Sequence, residues 1–384
     1  MPFQNKKLFI IAGEASGDLI GGKLIDALKK HIPYLDIQGI GGMHMELRGI
    51  RSIAPINKLG LMGFIEILPH IFIIKKLINH AVKNILEYQP DLVITIDSPG
   101  FNFRVVEALK KTSLKTKFIH IVAPSVWAYK PERAKKVADL YDMLFTLLPF
   151  EPPLFTKYGL KTQFIGHPIF EQNFKRNIDY FRKKYNIPED ARIICLTPGS
   201  RTGEIKRHMK IFLKALKLLQ TKYNIYAVFP LNKMEDAILV ESYIKGEVPH
   251  ICVFDDERID AYFVADAAIA KSGTNTLEIS ACETPLIVAY KINFLSYLYI
   301  KSKALIKYIS LVNILADHEV VPEFIQEKCT PENLANSIAK FLENDRLSEI
   351  QVQEATKVLR EIGLGSKIKA SERAAEIIAL RFLR

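Results

Sequence analysis

Residues 268–289, AIAKSGTNTLEISACETPLIVA, join one apolar run to another through a small-residue turn and a helical pattern. At the centre stand Ser272-Gly273-Thr274-Asn275-Thr276-Leu277-Glu278. Small side chains there let backbone N–H groups and hydroxyls approach an oxyanion, and the start of the following helix adds partial positive charge. This is the layout of a phosphate seat. Glu278, about one turn into the helix, would repel phosphate but can accept hydrogen bonds from a ribose diol. A plain strand-to-helix turn with a capping Ser or Thr has the same composition, so the stretch has to be read with its neighbours.

Those neighbours repeat the strand, turn, helix scheme. ARIICLTPGSRTGE (191–204), NIYAVFPL (224–231), HICVFDD (250–256) and PLIVAY (285–290) are apolar runs separated by helical patterns. Upstream, KLFIIAGEASGD (7–18), DIQGIGG (36–42), PDLVITIDSPG (90–100), KFIHIVAPSVWA (117–128) and DMLFTLLPF (142–150) follow the same order. Continuous apolar strands alternating with helices predict parallel sheets covered on both faces. The pattern breaks at His167 and Pro168, within QFIGHPIFEQNFKRN. The expected architecture is α/β, with two Rossmann-like doubly wound parallel-sheet domains, 1–167 and 168–384, facing across a cleft. The stretch from about Pro331 reads as C-terminal helices able to pack back on the first domain. Neither opening turn, GEASGD or PGSRTGE, is G-x-G-x-x-G, which disfavours a dinucleotide site.

At 384 residues the chain exceeds the ~250–300 at which single cores stop growing. Lys plus Arg number 53 against 42 Asp plus Glu, a net charge of +11, so the favoured partners are anions: nucleotides, phosphorylated lipids, anionic bilayers. No basic run with interleaved aromatics occurs, and nucleic acid is not expected. Cys195, Cys252, Cys282 and Cys329 are scattered through mostly apolar runs, as buried free thiols are. The first residues carry no signal-peptide pattern, and no window of ~18 uncharged apolar residues exists, so a cytoplasmic location is expected. Two segments, 60–86 and 294–316, mix Leu, Ile, Phe and Tyr with Lys. Each reads either as a core-facing helix with a solvated Lys face or as an interfacial helix on an anionic bilayer.

Ligands of open parallel sheets sit at the carboxyl ends of the strands. Asp97, at the end of LVITID, is there the best general-base candidate, its pKa raised by partial desolvation; capping the next helix is its alternative role. Glu14 could be a second base or a ligand of an acceptor sugar. Ser16, Gly17 and Asn102 are acceptor-side candidates. Arg201, after Gly199 and Ser200, could neutralise a diphosphate leaving group, or form a surface salt bridge. Lys206 and His208 are weaker anion candidates, and His120 reads as a core histidine. Trp127 and Tyr129 could stack on a sugar or mark a packed turn. Without D-x-D or metal-ligand spacing, the expected mechanism uses no metal and no cofactor.

GEASGD (13–18), IDSPGFN (96–102), APSVWAY (123–129), PGSR (198–201) and SGTNTLE (272–278) together resemble the lipid-A-disaccharide synthase family. GIGG (39–42), GLMGFIEIL (60–68), FIGHP (164–168) and SLVNIL (310–315) extend the match in register, and it thins after about residue 330. The resemblance implies a GT-B fold and an inverting glycosyltransferase at the cytoplasmic face of the inner membrane. It implies that UDP-2,3-diacylglucosamine reacts with 2,3-diacylglucosamine 1-phosphate to give the β-1,6-linked disaccharide 1-phosphate and UDP. It also implicates Asp97 in catalysis, and Arg201, Glu278 and Asn313 in donor binding or catalysis. Ser272, Gly273 and Thr274 then become the UDP seat. Amphiphilic substrates favour the interfacial reading of 60–86; a homodimer is allowed. The rival readings are a UDP-N-acetylglucosamine 2-epimerase-like enzyme, which would use the same paired halves, and a non-enzymatic binder of anionic membrane or nucleic acid.

Overall fold

The computed structural model describes residues 6–56, 71–172, 174, 178–255 and 257–383. The chain divides into two compact units, Met1–Glu171 with Ser366–Arg384, and Gln172–Gly365. Each is built on a six-stranded, wholly parallel sheet.

The first sheet comprises β1 (Lys6–Ala12), β2 (Leu35–Ile40), β3 (Leu92–Ile96), β4 (Lys117–Ile121), β5 (Met143–Thr146) and β6 (Lys161–Phe164), in the order β2-β1-β3-β4-β5-β6. Strand alternation sends Phe9, Ile11 and Val93 into one apolar layer and Leu8, Ile10, Leu92 and Ile94 into the other. Both faces are thereby covered, which is why these strands read as unbroken apolar runs. The second layer also takes Leu24, Ile25 and Leu28 of the helix Ala15–His31, and Ala374, Ala375 and Ile378 of the C-terminal helix Ala370–Ile378. That terminal helix is fixed further by Ser371, whose N–H and hydroxyl each donate to Glu171 at 2.8 Å. A polar knot lies inside the sheet. The Thr95 hydroxyl is 2.7 Å from His120 Nδ1 and 2.9 Å from the Tyr141 hydroxyl, and burial pushes His120 down to about 3. His120 is thus a neutral core group.

The second sheet comprises β7 (Arg192–Thr197), β8 (Ile225–Pro230), β9 (His250–Val253), β10 (Ala267–Ala270), β11 (Leu286–Tyr290) and β12 (Glu323–Ile325), ordered β12-β11-β10-β7-β8-β9. Its main core joins Ile194, Leu196 and Phe229 of the sheet to Phe212 and Leu216 of the helix Thr202–Gln220, and to Leu334, Ile338 and Phe341 of the helix Pro331–Glu343. The segment 294–316 is two short helices, Phe294–Lys303 and Leu311–Ala316. Of the segment 60–86, residues 60–70 lie outside the described residues. The remainder enters the helix Ile71–Tyr88, which buries Ile74, Ala81 and Ile85 while Phe72 and Ile73 are exposed.

Candidate functional site

In each sheet the strand order reverses once, beside β1 in the first and beside β7 in the second. Chains leaving neighbouring strands at a reversal diverge to opposite faces, opening a crevice at the strand carboxyl ends. The first reversal lies between β1 and β3, with Ala12 opposite Ile96; the second lies between β7 and β10, with Thr197 opposite Ala270. The four turns singled out in the sequence therefore meet in two pairs: 13–18 with 97–102, and 198–204 with 271–278.

In the first pair the backbone is strained where the chemistry is expected. Asp97 and Ser98 have φ of 52° and 44°, and Val122, just past β4, has φ of 77°. Two consecutive non-glycine residues in the left-handed region, and a β-branched one beside them, persist only where the surroundings over-determine them. Asn102 supplies part of that constraint: fully buried, its Nδ2 donates to the Asp97 carbonyl at 2.7 Å and to the Ile96 carbonyl at 3.2 Å. Its amide thus grips the backbone under Asp97. Gly13 supplies more, because a Cβ there would overlap the Ser98 side chain. Gly17 is buried, and a Cβ on it would lie 3.3 Å from the Ile96 carbonyl. Burial raises the Asp97 pKa above its ordinary value, although a hydrogen bond from the Ser98 backbone pulls it the other way. The next helix starts at Pro99 with Ser98 at its cap position, so Asp97 stands one residue outside the capping position. Glu14 is half-buried at the start of the helix Ala15–His31, and Ser16 is exposed in its first turn.

The Trp127 indole donates to Glu151 Oε1 at 3.1 Å, and the other carboxylate oxygen accepts from Leu147 and Leu148 N–H. Burial pushes Glu151 up to about 7. The indole also meets Phe150 edge to face. Trp127 is thereby fixed in a packed turn.

The second pair is laced by polar groups. Gly199 has φ of +133°, and a Cβ there would strike Glu204. Glu204 accepts from Ser200 N–H at 3.1 Å and pairs with Lys271 Nζ at 3.1 Å. Burial pushes the Glu204 carboxyl up, but the Lys271 charge and these hydrogen bonds outweigh it and leave it below the usual range. Asn275 Nδ2 donates to the Thr197 hydroxyl at 2.6 Å, tying one turn to the other. Arg201 and Ser200 are exposed at the start of the helix Thr202–Gln220, and the Arg201 guanidinium forms no ion pair among the described residues. His208 is no anion ligand: it is buried, lowered to about 4 by desolvation, and bonded to Pro198 O at 2.8 Å and Lys291 N at 3.1 Å. Since Nε2 accepts from the Lys291 amide, Nδ1 carries the proton. The helix after the SGT turn, Asn275–Ala281, has only seven residues, so its dipole adds little.

Ser272 donates to the Ile309 carbonyl at 2.7 Å. Ile309 N–H and Ser310 N–H in turn donate to Glu323, at 3.0 and 2.8 Å. Asn313, fully buried, spends its whole amide on this support: Nδ2 donates to Glu323 and the Val321 carbonyl, and Oδ1 accepts from Val320 and Val321 N–H. Asn313 therefore bears on Ser272 through the 309–310 backbone. Glu278 is buried, accepts from Gln172 at 3.1 Å and lies 3.7 Å from an Arg258 nitrogen. No role for Lys271, Glu204, Asn275 or Glu323 follows from the sequence, although the first three stand inside the strand-end turns themselves.

A family model described as lipid-A-disaccharide synthetase matches residues 8–378. The chain belongs to the lipid-A-disaccharide synthase family. Lipid-A-disaccharide synthase of Rickettsia felis is 46% identical over 380 residues, covering 98% of this chain and 97% of the relative. That of Rickettsia prowazekii is also 46% identical over 380 residues, covering 98% and 100%. A solved UDP-GlcNAc 2-epimerase from Neisseria meningitidis, bound to UDP-GlcNAc, has a TM-score of 0.66 at 14% identity, covering 98% of this chain and all of its own. At that identity the likeness shows the shared two-domain fold alone, and the epimerase reading is not favoured. As a member of the lipid-A-disaccharide synthase family the protein is a glycosyltransferase of lipid A biosynthesis, acting on a UDP-sugar and lipid substrates. Among the described residues no helix is long and apolar enough to cross a membrane.

Proposed function

We propose that the first unit binds the acceptor and supplies the base, and that the second binds the UDP-sugar. On this reading the donor is UDP-2,3-diacylglucosamine and the acceptor 2,3-diacylglucosamine 1-phosphate. The Asp97 carboxylate, with Glu14 as the alternative base, takes the proton of the acceptor 6-hydroxyl. The hydroxyl oxygen bonds to the donor anomeric carbon as the carbon–phosphate oxygen bond breaks, with inversion. UDP departs with the bonding electrons, and its growing charge meets Arg201, the Gly199–Ser200 turn and the backbone of Ser272–Thr274. Lys271 holds the diphosphate from the moment the donor enters, since a diphosphate can compete with Glu204 for its ammonium. Glu278 is assigned to the ribose, Ser16 and Gly17 to the acceptor, and Asn102 and Asn313 act by holding Asp97 and the 309–310 backbone.

The strained Asp97–Ser98 pair at a sheet reversal carries the reading. Backbone strain and a destabilised carboxylate both oppose folding, and their coincidence at one strand end is explained by a base held ready for proton transfer. A product assay with the two diacyl sugars tests it. Disaccharide 1-phosphate and UDP are expected; donor converted to another UDP-sugar would instead favour epimerisation.

A membrane surface is the second part of the proposal. Phe72, 79% exposed, and Ile73 stand at the start of the helix Ile71–Tyr88 beside Lys75 and Lys76. Such an end suits the interface of an anionic bilayer, where amphiphilic substrates reside. Flotation with anionic vesicles, with and without Phe72→Ser, tests this; equal binding by both removes Phe72 from the surface.

A further inference from the structure

The helix Phe294–Lys303 is left unused by the chemistry proposed above. It exposes Phe294 (60%), Leu298 (47%), Tyr299 (54%) and Ile300 (49%), and Leu305 just beyond its end is 61% exposed. Residues 298–303 are exposed without interruption, so an apolar triplet and Lys301 and Lys303 all face solvent. A lone exposed leucine needs no explanation, but a contiguous set on one short element marks an interaction site.

Charge selects the partner. Between Glu283 and Asp317 the sequence contains no Asp or Glu, whereas Lys291, Lys301, Lys303 and Lys307 all fall within that span. In a two-fold self-contact the patch would meet its own copy, setting lysines against lysines. An anionic bilayer offers the complementary sign. Its interface also takes aromatic and aliphatic side chains together, while lysine stems lie along the apolar surface and carry their ammonium groups to the headgroups. Basic and aromatic groups already stand side by side here: Lys301 Nζ lies 5.5 Å from the Tyr297 ring centroid and Lys307 Nζ 4.9 Å from that of Tyr308.

We propose that Phe294–Leu305 is a docking surface for an anionic lipid bilayer. The second unit thus carries a membrane contact of its own, separate from the one proposed for the helix Ile71–Tyr88. The inference extends the membrane part of the reading above and rests on it only for its purpose, the delivery of amphiphilic substrate.

Sedimentation with vesicles of phosphatidylglycerol in phosphatidylcholine, against phosphatidylcholine alone, tests it. The full-length protein should bind the first far better, with binding weakened by salt. Lys301→Gln combined with Lys303→Gln should lower that affinity roughly 30-fold. Leu298→Ser combined with Ile300→Ser should lower it about tenfold or more. Both variants should melt like the wild type, because the changed side chains are exposed. Wild-type protein that ignores phosphatidylglycerol, or variants that bind as well as wild type, would overturn the proposal. So would apolar variants that change the oligomeric state in light scattering while keeping vesicle affinity. Vesicle binding does not need turnover: a protein that docks but forms no disaccharide sinks the transfer assignments and leaves this surface standing.

Discussion

Replacing Asp97 by Asn separates chemistry from architecture. Asparagine tolerates left-handed φ about as well as aspartate, so the 52° at this position is retained. The 3.0 Å bond from Asp97 N–H to the Ile121 carbonyl and the 2.7 Å bond from Asn102 involve only backbone atoms of residue 97, and both survive. What disappears is the proton acceptor. Loss of a general base typically costs ~10²–10⁴ in rate, equivalent to about 3–5 kcal/mol of transition-state stabilisation. The same change should stabilise the fold. Burial raises the Asp97 pKa, so between the ordinary value of 3.8 and the folded value the native state binds more protons than the unfolded chain. Stability therefore falls as pH rises through that window and stays lower at neutral pH, by about 1.4 kcal/mol for every tenfold by which folding weakens the acid. Asparagine carries no charge and escapes that cost. A packing residue would lose activity and stability together; Asp97 should lose one and gain the other. Disaccharide formation and thermal melts read these two quantities, and calorimetry should find UDP affinity close to that of the wild type. Turnover within tenfold of wild type, or a lowered melting temperature, would remove Asp97 from the role of general base. For the wild type, kcat/KM should rise with pH through an apparent pKa above the ordinary aspartate range.

Gly13→Ala drives a methyl group into Ser98 and should cost about 1–3 kcal/mol by overpacking. Adding Ser98→Gly, which suits φ of 44°, should recover much of that loss in a thermal melt. Ser272→Ala and Glu323→Gln should each raise the donor KM more than they lower kcat. Their double variant should fall short of the sum of the singles, because Glu323 acts through the Ile309 backbone that accepts from Ser272; strict additivity would separate the two residues. Glu151 holds its proton up to about pH 7 in the fold, against an ordinary value of 4.5, so stability should decline as pH rises between those values. Since Trp127 is the single tryptophan and donates to Glu151, its emission should titrate near pH 7 and lose that transition in Glu151→Gln.

The architecture was legible because parallel strands buried on both faces leave unbroken apolar runs, and because each reversal of strand order follows a Gly/Ser-rich turn. The strand-end positions of Asp97 and Arg201 could be read for the same reason: each lies within a few residues of the end of an apolar run. Supporting groups could not. Glu323 reaches Ser310 across 13 positions and Gln172 reaches Glu278 across 106; no local period records such pairs. Asn102 and Asn313 show a further limit. Their identities are visible in short motifs, but the direction in which an amide is spent depends on backbone carbonyls and amides that only the fold brings near. The left-handed φ of Asp97 and Ser98 was equally hidden, because neither is glycine and only crowding by Gly13 and Asn102 enforces it.

The two reversals hold their polar groups in opposite ways, and this predicts how their variants should divide. Around Asp97 the free protein stores cost: left-handed backbone, a half-buried carboxylate and a Ser98 hydroxyl with no partner among the described residues. Such groups gain only when the reaction proceeds, so damage there should appear in kcat. Around Gly199 and Ser272 the groups are already satisfied by one another, with Lys271 held by Glu204 and Ser272 by Ile309. A donor must displace or extend those bonds on entry, in the ground state and the transition state alike. Interactions strengthened equally in both states change KM and leave kcat alone. Substitutions at Lys271, Glu204 and Ser272 should therefore move the donor KM, whereas Arg201, with no ion pair among the described residues, is free to respond to charge that appears only as UDP departs and should move kcat.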